Sequence, residues 1–285
     1  MNREHFQNQF HSFPSPFRRA LEKNYYTPGT SQFSVTTLIS PPQRTWLRTQ
    51  GEEILHPYGH YTALLGTAMH WILENNVDES TGEIAERRLY SDITLAGSPT
   101  SISVSGQLDF YEHKTLSDYK LTGGFQKEIK EDHWKQVNMN GRLAELNGIE
   151  VENVAVIYVQ KDWSSLRASV DPKYPQTPFN CIIKPYDQEL AIKLFARTVA
   201  DHVAASLGNP RKCTPDEQWR KPTTYALKKP ENQRARKVCD SYSEAEELQK
   251  TGEVIEVRPG EATYCESFCG YKHICPQYLQ ENMNK

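Results

Sequence analysis

Nowhere in the 285 residues does an apolar run approach the roughly 20 positions that a helix needs to span a bilayer, which excludes a transmembrane helix. The opening stretch, Met1 to Arg19, lacks a charged start followed by an apolar block and is instead polar, dotted with Phe and Pro. That argues against a secretory signal, and the expected location is the cytoplasm. Internal repeats and low-complexity runs are also missing. Positive charge is not in excess: 33 Lys and Arg stand against 36 Asp and Glu, for a net charge of −3. Taken alone this speaks against a nucleic-acid partner, but the distribution of charge matters more than its sum. Cysteine is sparse, with six residues and none before Cys181. A cytosolic chain does not rely on disulfides, so clustered cysteines there point to metal or catalysis.

With 37% hydrophobic and 24% charged residues, the composition is that of an ordinary globular protein. The length allows one large domain with an appendage. Residues 1–34 read as an irregular leader. A short helix is expected near Thr36–Gln50, begun at Pro41–Pro42. Tyr61 to Asn76 reads as a helix with a stripe of small residues (Ala63, Gly66, Thr67) that ends at His70 and would let it approach a sheet closely. From Ile84 to Leu121 the apolar period becomes two, the mark of a strand meander. Lys127–Asn147 reads as a helix stopped by Gly148, Val151–Gln160 as a buried strand, and Asp187–Leu207 as a helix capped by Asp187. The order implies an α/β fold with a mixed central sheet flanked by helices. The expected division is a leader (1–34), a core (35–208) and a basic, cysteine-rich C-terminal extension packing on it (209–285). Between Arg211 and Lys237 nine basic residues face three acidic ones. That is either a solvated loop region or a track for a phosphate backbone.

Chemistry concentrates in one expected hairpin. If Glu112–Thr115 form its loop, Asp109 stands opposite Asp118, and Gln107 opposite Lys120, on one face. Two facing carboxylates repel unless a divalent cation joins them, and hard oxygen ligands suit Mg²⁺ or Mn²⁺. Lys120 then brings a cation beside the same point, where it can orient a water or stabilise charge on a phosphate. The bland alternative is a surface hairpin with ordinary cross-strand pairs.

Four segments in order change that balance: "GTAMHWILE", "SGQLDF", "DYK" and "WKQVNMNGRLAELNG". Together they resemble the RecB-like branch of the PD-(D/E)XK nuclease superfamily. A similarity to its phage and prophage members extends through "VTTLISPPQRTWL", "KDWS", "CTPDEQW", "TYALKK" and the tail "VRPGEATYCESFCGYKHICPQY". The resemblance implies a restriction-endonuclease-like core in a bacterial host cell. Divalent metal would be held by His70, Asp109, Asp118 and the Tyr119 carbonyl, with Lys120 catalytic and Gln136 contacting DNA or positioning the site. Asn140 stands where many relatives carry Tyr, which weakens the case for DNA contacts from that helix. Glu86 reads as a surface residue that could add a further carboxylate.

The tail Cys265-x3-Cys269-x5-Cys275 suits a soft metal, yet both tetrahedral zinc and a [4Fe–4S] cluster want four ligands. Iron–sulfur relatives often carry a cysteine near the N-terminus, where Pro41 stands here. Cys213 is the first choice for the fourth ligand and Cys239 the second; Cys181 reads as a buried core thiol. Pro276 after Cys275 favours iron–sulfur, and His273 is available if the metal is zinc. The expected function is a Mg²⁺- or Mn²⁺-dependent deoxyribonuclease, an exonuclease of phage-type replication or recombination. Its expected partners are DNA and a phage recombinase or single-strand-binding protein. The alternatives are a non-cleaving DNA-binding accessory protein on the same fold, or a cysteine-centred redox switch.

Overall fold

The computed structural model describes residues 14–22, 29–54, 57–95 and 101–282, and the chain divides into two compact units. One comprises Met1–Trp46 and Pro57–Arg211, the other Leu47–His56 and Lys212–Lys285.

The first unit is built on a six-stranded mixed sheet of β1 (Phe33–Ser34), β2 (Ile84–Thr94), β3 (Ser101–Glu112), β4 (Thr115–Thr122), β5 (Asn153–Gln160) and β6 (Phe179–Pro185). β2 runs antiparallel along one edge of β3. The opposite edge of β3 is shared: β4 pairs at Phe110–Glu112, and β1 joins in parallel at Val104 and Ser105. β5 lies parallel to β4, and β6 is antiparallel to β5 at the far edge. Around the sheet stand α1 (Ser15–Glu22), α2 (Val35–Leu38), α3 (Pro42–Gln50), α4 (Pro57–Glu74), α5 (Glu131–Leu146), α6 (Ser165–Val170) and α7 (Gln188–Ser206). α3 begins in this unit and runs into the other.

A parallel pair needs a long crossover, and α5 supplies the one between β4 and β5. Its Val137 and Leu143 pack with Leu116 of β4, Val154, Val156 and Tyr158 of β5, and Phe195 and Val199 of α7. Each fully buried aliphatic side chain of this kind contributes roughly 1.5–3 kcal/mol. The Asp187 carboxylate caps α7 by accepting the Leu190 N–H at 2.9 Å, and Gly148 takes a positive φ of 78° just beyond α5, both as the sequence predicts.

The β3–β4 hairpin has the expected register, with Phe110 opposite Ser117, Tyr111 opposite Leu116 and Glu112 opposite Thr115. Its turn is tighter than a four-residue loop: His113 and Lys114 alone reverse the chain, at φ of 45° and 60°. Other expectations need correction. The 1–34 leader is not irregular throughout, since it contains α1 and β1. The small-residue stripe of α4 gives no close approach at Gly66, where an added Cβ would meet nothing within 4 Å.

In the second unit the basic segment carries strands where a solvated loop region was one of the expectations. β7 (Thr224–Lys228) lies between β8 (Lys237–Cys239) and β9 (Val254–Arg258), with α8 (Tyr242–Leu248) beside them. Leu227, Cys239 and Ala245 form its small core. α9 (Thr263–Ser267) and α10 (Pro276–Asn282) follow, and the Ile54 N–H bonds Gly270 O at 2.9 Å.

Six of the nine basic side chains between residues 211 and 237 are held in ion pairs: Arg211 with Asp201, Arg220 with Glu281, Lys221 with Glu261, Lys228 with Glu256, Arg236 with Glu253 and Lys237 with Glu244. Much of the apparent positive charge is neutralised within the fold. No helix among the described residues is long and apolar enough to cross a membrane.

Candidate metal centre

Three acidic residues occupy one row across neighbouring strands. The β2–β3 register places Glu86 level with Asp109, and the β3–β4 register places Asp109 level with Asp118. The β2–β3 ladder runs on to either side of Glu86, whereas the β3–β4 ladder stops at Phe110 and Ser117, just short of Asp109 and Asp118. There the Asp109 carboxylate accepts the backbone N–H of Tyr119 at 2.8 Å. Glu86 has φ of 46°, a left-handed conformation that costs a residue with a side chain about 1–2 kcal/mol. Strain of this kind gathers at functional sites.

His70, near the end of α4, closes the group. Its Nδ1 lies 2.7 Å from Glu86 Oε1, and its Nε2 lies 3.8 Å from Asp109 Oδ2. One ligand atom from each of His70, Glu86 and Asp109 falls within 4.8 Å of the others, close enough for a shared cation. Gln107 supports Glu86 by donating to its Oε2, and accepts from the Arg88 guanidinium at 2.7 Å. The Tyr119 ring meets the His70 ring edge-on, with centroids 6.0 Å apart. Glu86 is thus no surface residue; its side chain is only 14% exposed.

Asp118 is 1% exposed. Its Oδ2 lies 2.7 Å from Lys120 Nζ, while Oδ1, fully buried, has no hydrogen-bond partner among the described residues. Lys120 also donates to Gln136 Oε1 of α5 at 3.0 Å. The electrostatics are those of a site short of positive charge. Burial, and then the charge of Asp118, push the Asp109 carboxyl up to about 7. Burial likewise raises Asp118, against the opposing effect of Lys120. The hydrogen bond to Glu86 raises His70, helped by the charge of Asp109. Lys120 is raised by Asp118 despite the opposing effect of its own burial. A divalent cation would relieve the carboxylate repulsion and give the orphaned Asp118 oxygen a partner, so these residues fit such an ion.

Near Lys120, Tyr158 accepts the Lys130 N–H at 3.0 Å and meets His133 Nδ1 at 2.9 Å. Burial, with the charges of Lys120 and Lys130, depresses His133 to about 4. Asn140 faces inward: it is 2% exposed and donates to Gln107 O at 3.2 Å. It makes no surface that DNA could touch.

The sequence brings His70, Asp109, Asp118, Tyr119, Lys120 and Gln136 to one neighbourhood. Glu86, read from the sequence as a surface residue that could add a carboxylate, joins them; its level with Asp109 is legible once the β2–β3 register is known.

In the second unit Cys213 and Cys265 each feel the negative charge that the neighbouring cysteines carry when ionised. Burial raises Cys213, and Glu217 and the other three thiols raise it further. Burial, then Cys269 and Cys275, push Cys265 up to about 11. Gln277 holds the Cys213 backbone, accepting its N–H at 2.8 Å and donating to its carbonyl at 3.0 Å. Cys239 is buried in the core of the small sheet instead, and His273 is exposed. Cys181 is exposed on β6, contrary to the reading of a core thiol.

The chain matches no family model and no curated protein. Among solved structures it is similar to the crystal structure of SSO0001, at a TM-score of 0.47 and 18% identity over 67% of this chain and 87% of that one. It is also similar to LHK-Exo in complex with dAMP, at a TM-score of 0.30 and 13% identity over 61% of this chain and 93% of that one.

Proposed function

We propose that this protein is a metal-dependent DNA nuclease whose centre is formed by His70, Glu86, Asp109 and Asp118. The observation that carries the proposal is the part-buried, under-neutralised row of carboxylates, with an unpartnered oxygen on the buried Asp118, set beside a part-buried lysine. Mg²⁺ or Mn²⁺ held by these residues and the Tyr119 carbonyl would supply a polarised phosphate and an acidified water.

The chain's own groups do the rest. Glu86 fixes the His70 ring through Nδ1 and leaves Nε2 turned to Asp109. Asp109 is held by the Tyr119 N–H. Lys120, oriented by Asp118 and Gln136, presents an ammonium to the attacking water or to charge building on the phosphate. Action from DNA ends, a phage-type recombination role and a recombinase or single-strand-binding partner are the finer form of the proposal and rest on the family resemblance.

We propose also that Cys213, Cys265, Cys269 and Cys275 bind a structural soft-metal centre, [4Fe–4S] or zinc. Cysteines whose ionisation is opposed by burial and by one another's charge, as at Cys213 and Cys265, become favourable as thiolates once a metal neutralises them.

Cleavage of end-labelled single- and double-stranded DNA with Mg²⁺ or Mn²⁺, wild type beside Lys120→Ala, tests the nuclease. Metal-dependent cutting lost in the variant supports it, and the label pattern reports polarity. Binding without cutting by either protein, whatever the metal, replaces it with the accessory-protein reading.

A further inference from the structure

Among the described residues β6 is an edge strand paired only with β5. The Gln160 N–H bonds Pro178 O, and the Tyr186 N–H bonds Glu152 O. These two bonds set the phase of the ladder: the even-numbered residues of the strand bond to β5. The odd-numbered ones, Phe179, Cys181 and Ile183, therefore direct their N–H and C=O groups away from the sheet. All three are exposed, Phe179 and Ile183 at 59% each with Cys181 between them, and Lys184 and Pro185 are exposed after them. Open edges are commonly blunted with charge or proline. Here proline stands only at the limits, at Pro178 and Pro185, and the stretch between them is apolar apart from Asn180 and Lys184.

We infer that β6 is a homodimerisation strand, pairing antiparallel with β6 of a second copy about a twofold axis at Cys181. The prolines select this register, because Pro185 has no N–H to offer and ends the outward ladder just past Ile183. Centred on Cys181, Phe179 of each copy faces Ile183 of the other, an aromatic against a β-branched side chain, and Cys181 faces Cys181. The Cys181 and Ile183 N–H groups of both copies then find carbonyl partners. The Phe179 N–H, which now donates to Thr177 Oγ1 at 3.2 Å, is free to join by releasing that hydroxyl. Unlike a bare apolar patch, the edge specifies its occupant: an extended chain with this spacing of apolar residues, which a second β6 supplies.

Sedimentation equilibrium of the full chain, with short-bismaleimide crosslinking mapped by peptide mass, tests the pairing. Facing Cα atoms in such a pair lie ~5.5 Å apart, so the reagent links Cys181 to Cys181, and Cys181→Ser abolishes that product. Ile183→Pro deletes an outward N–H without touching the bonds to β5 and weakens the dimer ~10-fold or more. Ile183→Asp, which keeps the backbone, does the same if the proline variant unfolds by circular dichroism. A monomer, a dimer unmoved by both Ile183 variants, or one joined only to a different protein's strand overturns the inference.

Discussion

The Tyr119 N–H donates to the Asp109 carboxylate at 2.8 Å at the level where β3 and β4 cease to pair. A backbone donor that would have met a neighbouring strand instead fixes a candidate metal ligand, so the parting of the strands and the orientation of the carboxylate are one event. Replacing Asp109 with Asn keeps a side-chain oxygen for that bond but removes the charge. DNA cleavage should then fall by at least ~100-fold, and Mn²⁺ binding followed by calorimetry should weaken in parallel. Unchanged Mn²⁺ affinity would remove Asp109 from the centre.

The Asp109 carboxyl, pushed up to about 7, makes a pH prediction for chelator-treated protein. A folded-state value above the unfolded one means that the stability it contributes is fully present below about pH 4 and is lost as pH rises through about 7. Thermal unfolding of wild type measured against Asp109→Asn should show this loss between pH 4 and 7, and Mg²⁺ should suppress it. A constant difference across that range would contradict the assigned charge environment.

His133 works in the opposite direction. Its folded-state value, near 4, lies below the ordinary 6.5, so the unfolded chain takes up its proton first as pH falls. Wild type should lose stability relative to His133→Gln as pH drops from about 6.5 to about 4. Urea unfolding at three pH values in that window reads the slope.

Glu86 combines backbone strain with a place in the candidate centre, and two substitutions separate the two. Both Glu86→Ala and Glu86→Gly abolish the His70 contact and lower metal affinity by ~10–100-fold. Only glycine escapes the penalty of φ at 46°, so the Gly variant should be the more stable by about 1 kcal/mol. Equal stabilities in chemical denaturation would mean that the backbone relaxes once the carboxylate is gone.

Gly106 tests the inward role of Asn140. A Cβ there would lie 2.3 Å from Asn140 Oδ1 and 2.8 Å from Leu143 Cδ1. Gly106→Ala should cost ~1–3 kcal/mol, with part regained when Asn140→Ala is added. Additive losses in the double variant would show that the two residues do not meet.

What could be read beforehand followed the range of the signal. The β3–β4 register was legible because one short turn sets it, and it fixed the places of Asp109, Asp118 and Lys120 together. The helix bearing Gln136 was legible from its apolar period and Gly148. Glu86 was legible only as an optional carboxylate on a surface strand, because its place depends on how far the chain runs between β2 and β3, which no local pattern records. β6 hid for a related reason: an edge strand with one open face lacks a buried run. In the basic segment, composition showed nine cations but not the acids that the fold brings to six of them.

The turn at His113–Lys114 acts as a gauge block for the chemistry. Two successive left-handed residues are usually Asn and Gly; here a histidine and a lysine occupy them. Lys114 then clamps the turn to the start of β5, its side chain on Glu150 and Glu152 and its carbonyl taking the Glu152 and Asn153 N–H groups. One residue inserted at this remote reversal would slip β4 by one position and turn Asp118 and Lys120 to the opposite side of the sheet. Exchanging the pair for Asn-Gly would leave the spacing intact and relax the backbone. The tolerance of the candidate site is therefore machined outside it, and length changes in an exposed loop can be as damaging as loss of a ligand.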